Sequence, residues 1–206
     1  MLDQLHGLID NFATLDQRYQ VIDADHPLRS RLTETKNRTI RLAVVGEIKK
    51  GKSTFINALL GADEVTPSAS DVATSTAYRI THGDHYKAQV HFLSGGEATA
   101  PPPALTITAE EIASYGTEDG NPGNQLNVEC IEIQHPSPFL AQGIEIVDTP
   151  GLGGLFRAHA AITWRFIPFA DAVLFICDSI ESVLSKDELE YAKKIRSIGT
   201  PLIFVQ

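Results

Sequence analysis

Apolar positions fall at Leu2, Leu5, Leu8, Ile9, Phe12, Leu15 and Tyr19, at spacings of three and four. That rhythm predicts an amphipathic helix over roughly the first twenty residues. "HPLRSRL" around Pro27 breaks it. Beyond that point short apolar runs replace helical stripes. Residues 41–46 read as a buried strand and residues 51–60 as a helix that Gly61 stops. "AYRITHGDHYKAQVHFL" holds two alternating runs around "HGDH", a hairpin signal. "SGGEATAPPPALT" and "GTEDGNPGNQ" have loop composition, and between them Thr108 with Glu111 forms a capping box for a short helix. "LNVECIEIQ", "GIEIVD", "DAVLFICD" and "PLIFVQ" read as strands. Ser185 with Glu188 caps the helix "SKDELEYAKKIRSI", which Gly199 ends. Strands alternating with helices predict an α/β three-layer sandwich around a mainly parallel sheet, with an antiparallel hairpin at one side and an extra N-terminal helix.

Composition changes this picture little. With 206 residues and 43% hydrophobic content, the chain suits one large domain with an appendage: an N-terminal helical segment over 1–37 and an α/β domain over 38–206. The N-terminal helix has no place inside a βαβ unit. It either packs on its own domain or joins a helical bundle built mostly by sequence outside this chain. Twenty-six acidic residues against 17 basic give a net charge of −9, which disfavours nucleic acid and anionic lipid as direct partners. Cys130 and Cys177 sit in apolar runs and read as buried thiols of a reducing compartment. "MLDQLHGLID" lacks the basic region and long apolar core of a signal peptide, and "AVLFIC" is far too short to cross a bilayer. The expected location is the cytoplasm, soluble or at most peripheral to a membrane.

"GEIKKGKS", Gly46 to Ser53, matches the phosphate-loop pattern G-x-x-x-x-G-K-S/T in full, after the strand "RLAVV" and before the helix "STFINALL". Its glycines let successive backbone N–H groups point at phosphate oxygens, and the helix dipole favours the same anion. The expected nucleotide-binding residues are Gly46, Glu47, Ile48, Lys49, Lys50, Gly51, Lys52, Ser53 and Thr54. Lys52 can reach the β- and γ-phosphates, and the Ser53 hydroxyl can ligate Mg²⁺. "IEIVDTPGLGG" supplies a second half: Asp148 closes an apolar strand at the sheet edge that carries the loop, where its carboxylate can hold Mg²⁺ through water, and Gly151 offers a backbone N–H to a γ-phosphate.

The D-T-P-G run after a phosphate loop resembles the third motif of GTPases. Lys52 and Asp148 are 96 positions apart, and that long gap resembles the dynamin superfamily. "GKSTFINALLG" followed by "VTPSASDVATSTAYRI", then "GIEIVDTPGLGG" and "ADAVLFICDSIESVLSKDELEYAKKI", resembles bacterial dynamin-like proteins and mitofusins over residues 38–206. The resemblance implies a GTPase that binds GTP and GDP with Mg²⁺, pairs as a homodimer or oligomer across the nucleotide face, and remodels membrane through regions outside this chain. It matches Lys52 and Ser53 to the phosphate-binding lysine and metal ligand. It matches Asp148 and Gly151 to switch II, and Thr74 to the switch I threonine that ligates Mg²⁺ and closes over the γ-phosphate. Thr76 competes for that role and Thr66 is a weaker choice. Lys52, Thr74 and Gly151 form the expected catalytic set; Ser53, Thr74 and Asp148 form the metal set.

The chain departs from the family in two places. Where eukaryotic dynamins carry a glutamine and a serine that position water and a cation, it carries Ile48 and Lys49. Bacterial members show a similar lysine-containing loop. Either Lys49 or Lys50 supplies charge at the transition state, in its own site or from across a dimer, or both are solvated. The N/T-K-x-D motif that reads guanine would begin just after "PLIFVQ", so the chain looks like an N-terminal fragment truncated before it. Two alternatives stand beside hydrolysis coupled to membrane remodelling: an Era-like ribosome-assembly GTPase, and a nucleotide-binding switch or scaffold with little hydrolysis. His82 and His85 read as solvated turn residues rather than metal ligands. Arg157 and Arg165 read as helix surface, and Trp164 and Phe166 as packing or interface residues.

Overall fold

The computed structural model describes residues 39–67, 74–94, 101–151, 157–177 (backbone only for 157–160) and 184–206, together with positions 7, 8, 10, 11 and 14. The chain divides into two compact units, Met1–Thr39 and Ile40–Gln206. In the first unit the described positions are helical, Leu8 is exposed and the Thr14 hydroxyl donates to the Asp10 carbonyl at 2.9 Å. The other residues of the expected apolar stripe lie outside the described residues.

The second unit is built on one eight-stranded sheet. Its strands are β1 (Ile40–Val45), β2 (Ala77–His82), β3 (Lys87–Phe92), β4 (Leu105–Ile107), β5 (Val128–His135), β6 (Ile144–Asp148), β7 (Ala172–Ile176) and β8 (Leu202–Val205). Their spatial order is β4-β3-β5-β2-β6-β1-β7-β8. The helices are α1 (Lys52–Leu60), α2 (Ile112–Gly116), α3 (Arg157–Phe166) and α4 (Lys186–Ser197). β1 runs parallel to β6 and β7, β7 to β8, and β2 to β5. β2 is antiparallel to β6, and β3 to both β4 and β5.

The three-layer sandwich follows from residue alternation along the strands. On one face Val44, Tyr78, Ile80, Val90, Ile131 and Ile146 pack with Ile56 and Leu60 of α1 and Ile112 of α2. On the other, Ala43, Val45, Val173 and Phe175 pack with Ala192 and Ile195 of α4, while Ala77, Cys130 and Val147 meet Ile162 of α3. All five residues of β6 are buried, as expected of a strand flanked on both sides and covered on both faces. Trp164 packs: its ring stacks on Tyr191 of α4 at 5.9 Å, and the Lys194 ammonium lies 4.1 Å from its centre.

Two features differ from the sequence expectation. The runs flanking "HGDH" are strands β2 and β3, but they do not pair with each other. β5 lies between them, parallel to β2 with Ala77 opposite Cys130, and antiparallel to β3 with Ala88 opposite Ile133. The eight-residue β5 can saturate hydrogen bonds on both sides, and its Cys130, Ile131 and Ile133 bury both faces there. The antiparallel pair at the sheet edge is instead β3 with β4, whose three residues follow "PPP" inside a stretch of loop composition. The expected capping box of Thr108 and Glu111 does not cap α2: the Thr108 N–H donates to the Glu111 carboxylate at 2.9 Å, but the helix starts only at Ile112, so Glu111 is itself the N-cap and makes no side-chain cap bond. The α4 box is complete, with Glu188 N–H donating to Ser185 Oγ and Ser185 N–H to the Glu188 carboxylate.

Charged residues cross the second face in alternating sign. Arg41 Nε donates to Glu145 at 2.6 Å, Arg79 Nε donates to the same carboxylate at 3.3 Å, Arg79 also pairs with Glu132 at 3.8 Å, and His91 lies 3.4 Å from Glu132. Burial works against the ionised form of Glu145, but hydrogen bonds from both arginines outweigh it and hold the carboxyl below its usual range. Glu145 is 5% exposed and serves two guanidinium groups that keep about a third of their surface in water. Glu145→Ala is therefore expected to cost about 2 kcal/mol, measured as a shift in the urea midpoint. A loss under about 0.5 kcal/mol would mean that the pair behaves as a screened surface contact.

Candidate functional site

The parallel register of β1 and β6 sets Val44 opposite Asp148, so the loop after β1 and the turn after β6 leave the sheet at one edge. The loop bends at Gly46, where φ is +154° and a Cβ would come within 2.6 Å of the Ile176 carbonyl, so no side chain fits there. Lys49 takes a left-handed φ of +63°, a conformation that costs a non-glycine residue of order 1 kcal/mol. Turning the backbone there helps aim successive N–H groups to one side, the geometry of an anion nest. Gly51 precedes α1, and the Phe55 N–H donates to its carbonyl at 2.8 Å. Gly61 ends α1 in the left-handed region.

Lys52 is buried, and its ammonium donates to the Glu47 carbonyl at 2.8 Å. Burial lowers its pKa, against the opposing pull of Asp148 and Glu47. Ser53 Oγ donates to Asp148 Oδ2 at 2.9 Å. Asp148 is fully buried and its Oδ1 has no hydrogen-bond partner. Burial pushes its carboxyl up to about 6, even with the Lys52 ammonium and the Ser53 hydroxyl favouring the charged form. A buried carboxylate with one unpartnered oxygen beside a serine hydroxyl is a donor set suited to a hard divalent cation.

The rest of D-T-P-G locks this arrangement. Thr149 Oγ1 donates to the Val44 carbonyl at 2.8 Å, and Thr163 of α3 donates to the Pro150 carbonyl at 3.2 Å. Gly151 rests on the phosphate loop: a Cβ there would lie 2.4 Å from Ile48 Cγ1 and 2.7 Å from the Ile48 backbone. The apolar Ile48 side chain thus packs against the D-T-P-G turn at Gly151. Beside the loop opens a cleft of about 490 Å³ lined by Lys49, Lys50, Gly51, Thr54, Phe55 and Cys177, reaching Val205 and Gln206 at the end of β8. Cys177, expected in the strand core, is half-buried at the end of β7 and lines this cleft, because β7 stops one residue before it.

The structure brings Lys52, Ser53, Asp148 and Gly151 together. Thr74 is positioned by another contact, an isolated antiparallel bridge to Thr117 beyond α2, with the Ser75 N–H donating to the Gly116 carbonyl at 2.9 Å. The competing threonines are committed elsewhere. Thr76 Oγ1 points at the β5 carbonyls of Val128 and Glu129. Thr66 is buried, with its N–H and carbonyl both bound to Asn57. His82 and His85 are exposed, and among the described residues no group of three His, Cys, Asp or Glu side chains could hold a metal ion. Arg165 is exposed on α3.

Two side chains of the site carry no motif signature. Asn57, buried on α1, accepts from Val65 N–H at 3.0 Å and Thr66 N–H at 3.1 Å and donates to the Thr66 carbonyl at 3.0 Å. It pins the chain that leads toward Thr74. The Glu47 carboxylate accepts from Ser185 Oγ at 2.9 Å. The position of Asn57 on the inner face of "STFINALL" is the one sequence signal for the first; the second joins residues 138 apart and has none.

The family model described as "Dynamin family" matches residues 42–206. An uncharacterized protein in the xynA 3′ region of Caldicellulosiruptor sp. is 36% identical over 164 residues, covering 80% of this chain and 39% of that protein. The bacterial dynamin-like protein of Nostoc punctiforme is 29% identical over 172 residues, covering 80% of this chain and 24% of its own length. The chain therefore spans well under half of these relatives. Among solved structures, a bacterial dynamin pair, described as oligomerised and as tethering membranes, superposes with a TM-score of 0.60 at 18% identity, over 98% of this chain and 38% of that one.

Asn57→Ala leaves two buried N–H groups and a carbonyl without their partner. It is expected to cost about 2 kcal/mol and to lower the melting temperature by about 4–8 °C by calorimetry. A melt unchanged from wild type would show that the clamp is dispensable.

Proposed function

Because this chain belongs to the dynamin family and carries its GTPase domain, we propose that the cleft beside the phosphate loop binds a guanine nucleoside triphosphate with Mg²⁺, and that the domain hydrolyses it. The observation that carries this reading is the Ser53–Asp148 contact, with its unpartnered carboxylate oxygen, at the head of a complete phosphate loop. Ser53 and Asp148 would hold the cation with Thr74, and a bound Mg²⁺ neutralises charge shared by the β- and γ-phosphates.

The chain's own residues do the remaining work by position. Backbone N–H groups of residues 46–54 receive phosphate oxygens. Lys52, now bound to the Glu47 carbonyl, has its ammonium within the loop it would serve. Gly151 presents main chain, without a side chain, where switch II meets the loop. Water attacks in line without a covalent intermediate, so catalysis is positioning and charge stabilisation. The cleft continues from the phosphate loop to Cys177 and Gln206, where the base would have room to sit. We extend to the full-length protein the oligomerisation that the bacterial dynamin pair's description records, with pairing across the nucleotide face. Any membrane contact falls to regions outside this acidic segment; among the described residues no helix is long and apolar enough to cross a membrane.

One observation favours a second reading, a switch that binds but hardly hydrolyses: Ile48 sits on Gly151 and offers no polar group to orient water. Single-turnover GTP hydrolysis at rising protein concentration separates the two. Paired catalysis gives a specific rate that climbs with concentration, whereas a switch gives a flat, negligible one. Ser53→Ala is expected to lower the rate by about a hundredfold or more. Hydrolysis at the wild-type rate in that variant would overturn the metal assignment.

A further inference from the structure

Glu47 is the second residue of the phosphate loop, where the pattern asks for no particular side chain. It faces two ways. Its carbonyl accepts from the Lys52 ammonium at 2.8 Å, and its carboxylate accepts from Ser185 Oγ at 2.9 Å. Ser185 is the N-cap of α4, and the same Oγ accepts from the Glu188 N–H at 3.1 Å. A serine hydroxyl has one proton to give, and here it goes to Glu47. Glu188 is buried and returns a bond to the Ser185 N–H at 2.8 Å. An unbroken chain of short contacts therefore joins the phosphate-binding ammonium to the first turn of α4. Beyond that turn, Tyr191 stacks on Trp164 of α3, and Ala192 and Ile195 pack against Val45 and Phe175.

We propose that Glu47 is a positioning residue whose bond to Ser185 couples occupancy of the phosphate loop to helix α4. The inference rests on the nucleotide reading above. A bound phosphate competes with the Glu47 carbonyl for the Lys52 ammonium. The peptide that loses this proton donor is the one whose side chain holds the α4 cap, so the load on the cap changes with occupancy. Coupling of this kind is reciprocal: a partner that restrains α4 tightens the loop around phosphate.

Ser185→Asp tests this without removing the cap, since Asp is an equally good N-cap acceptor. It abolishes the proton given to Glu47 and sets two carboxylates face to face. Adding Glu47→Gln reverses the bond, with the amide donating to the new carboxylate. Hydrogen exchange of the α4 amides is measured in the full chain with and without Mg²⁺ and the non-hydrolysable β,γ-imido analogue of GTP. The wild type is expected to gain protection in α4 when the analogue binds. Ser185→Asp loses that gain and binds the analogue about tenfold more weakly; the double variant recovers both. Glu47→Ala, which keeps both capping-box bonds between Ser185 and Glu188, serves where Ser185→Asp does not fold, and loses the gain while its nucleotide-free melt stays near that of wild type. Nucleotide-dependent protection that persists in Ser185→Asp or Glu47→Ala, or a wild type that binds the analogue without any change in α4, overturns the coupling alone. A wild type that binds no analogue overturns the nucleotide reading, and the coupling with it.

Discussion

Everything at the site depends on the pairing of β1 with β6. Once Val44 stands opposite Asp148, the loop leaving one strand and the turn leaving the other emerge side by side. Thr149 fastens the register from within: its hydroxyl donates to the Val44 carbonyl, and its N–H approaches the same oxygen at 3.3 Å. A slip of one residue would turn Asp148 to the opposite face and away from Ser53. The same register sets Ile40 opposite Ile144 and Leu42 opposite Ile146, and Leu42, Val44, Ile144 and Ile146 all join the core on the α1 face. Apolar burial and the functional contact are therefore satisfied by one alignment, and neither can be changed without the other.

The buried acid at the centre is unfavourable by itself. Asp148 is fully enclosed, beside a lysine whose own charge is disfavoured by burial. Its surroundings supply one hydroxyl and leave one oxygen unmatched. Such a group is destabilising by itself, and a hard cation set against the unmatched oxygen would offset that cost.

Much of this was legible in the sequence because the decisive signals are local. The phosphate loop needs glycines at fixed offsets, and Asp148 ends a run of apolar residues in plain view. The α4 cap was legible for the same reason: Ser185 and Glu188 are three apart. What failed was long-range pairing. "AYRITHGDHYKAQVHFL" carries the alternation of two adjacent strands, yet alternation says which face a residue takes and nothing about which strand lies beside it. β5 fits between β2 and β3 because its residues bury both faces, and that competition is invisible within a short window. β4 was hidden by its length of three residues and by the prolines before it. The Glu47–Ser185 bond joins a loop and a cap, each explained by its own neighbours, so neither sequence context pointed to the other.

The separation of β2 from β3 has a consequence for how the domain is made. A hairpin between them would close within a few residues and could form as the chain emerges from the ribosome. Instead Arg41 waits for Glu145, 104 positions later, and Ser53 waits for Asp148, 95 positions later. Pairings of that span form slowly, because the loop must close before any contact rewards it. The phosphate loop is thus synthesised early and completed late, and through that interval β1 and α1 present their apolar faces with no sheet to cover them.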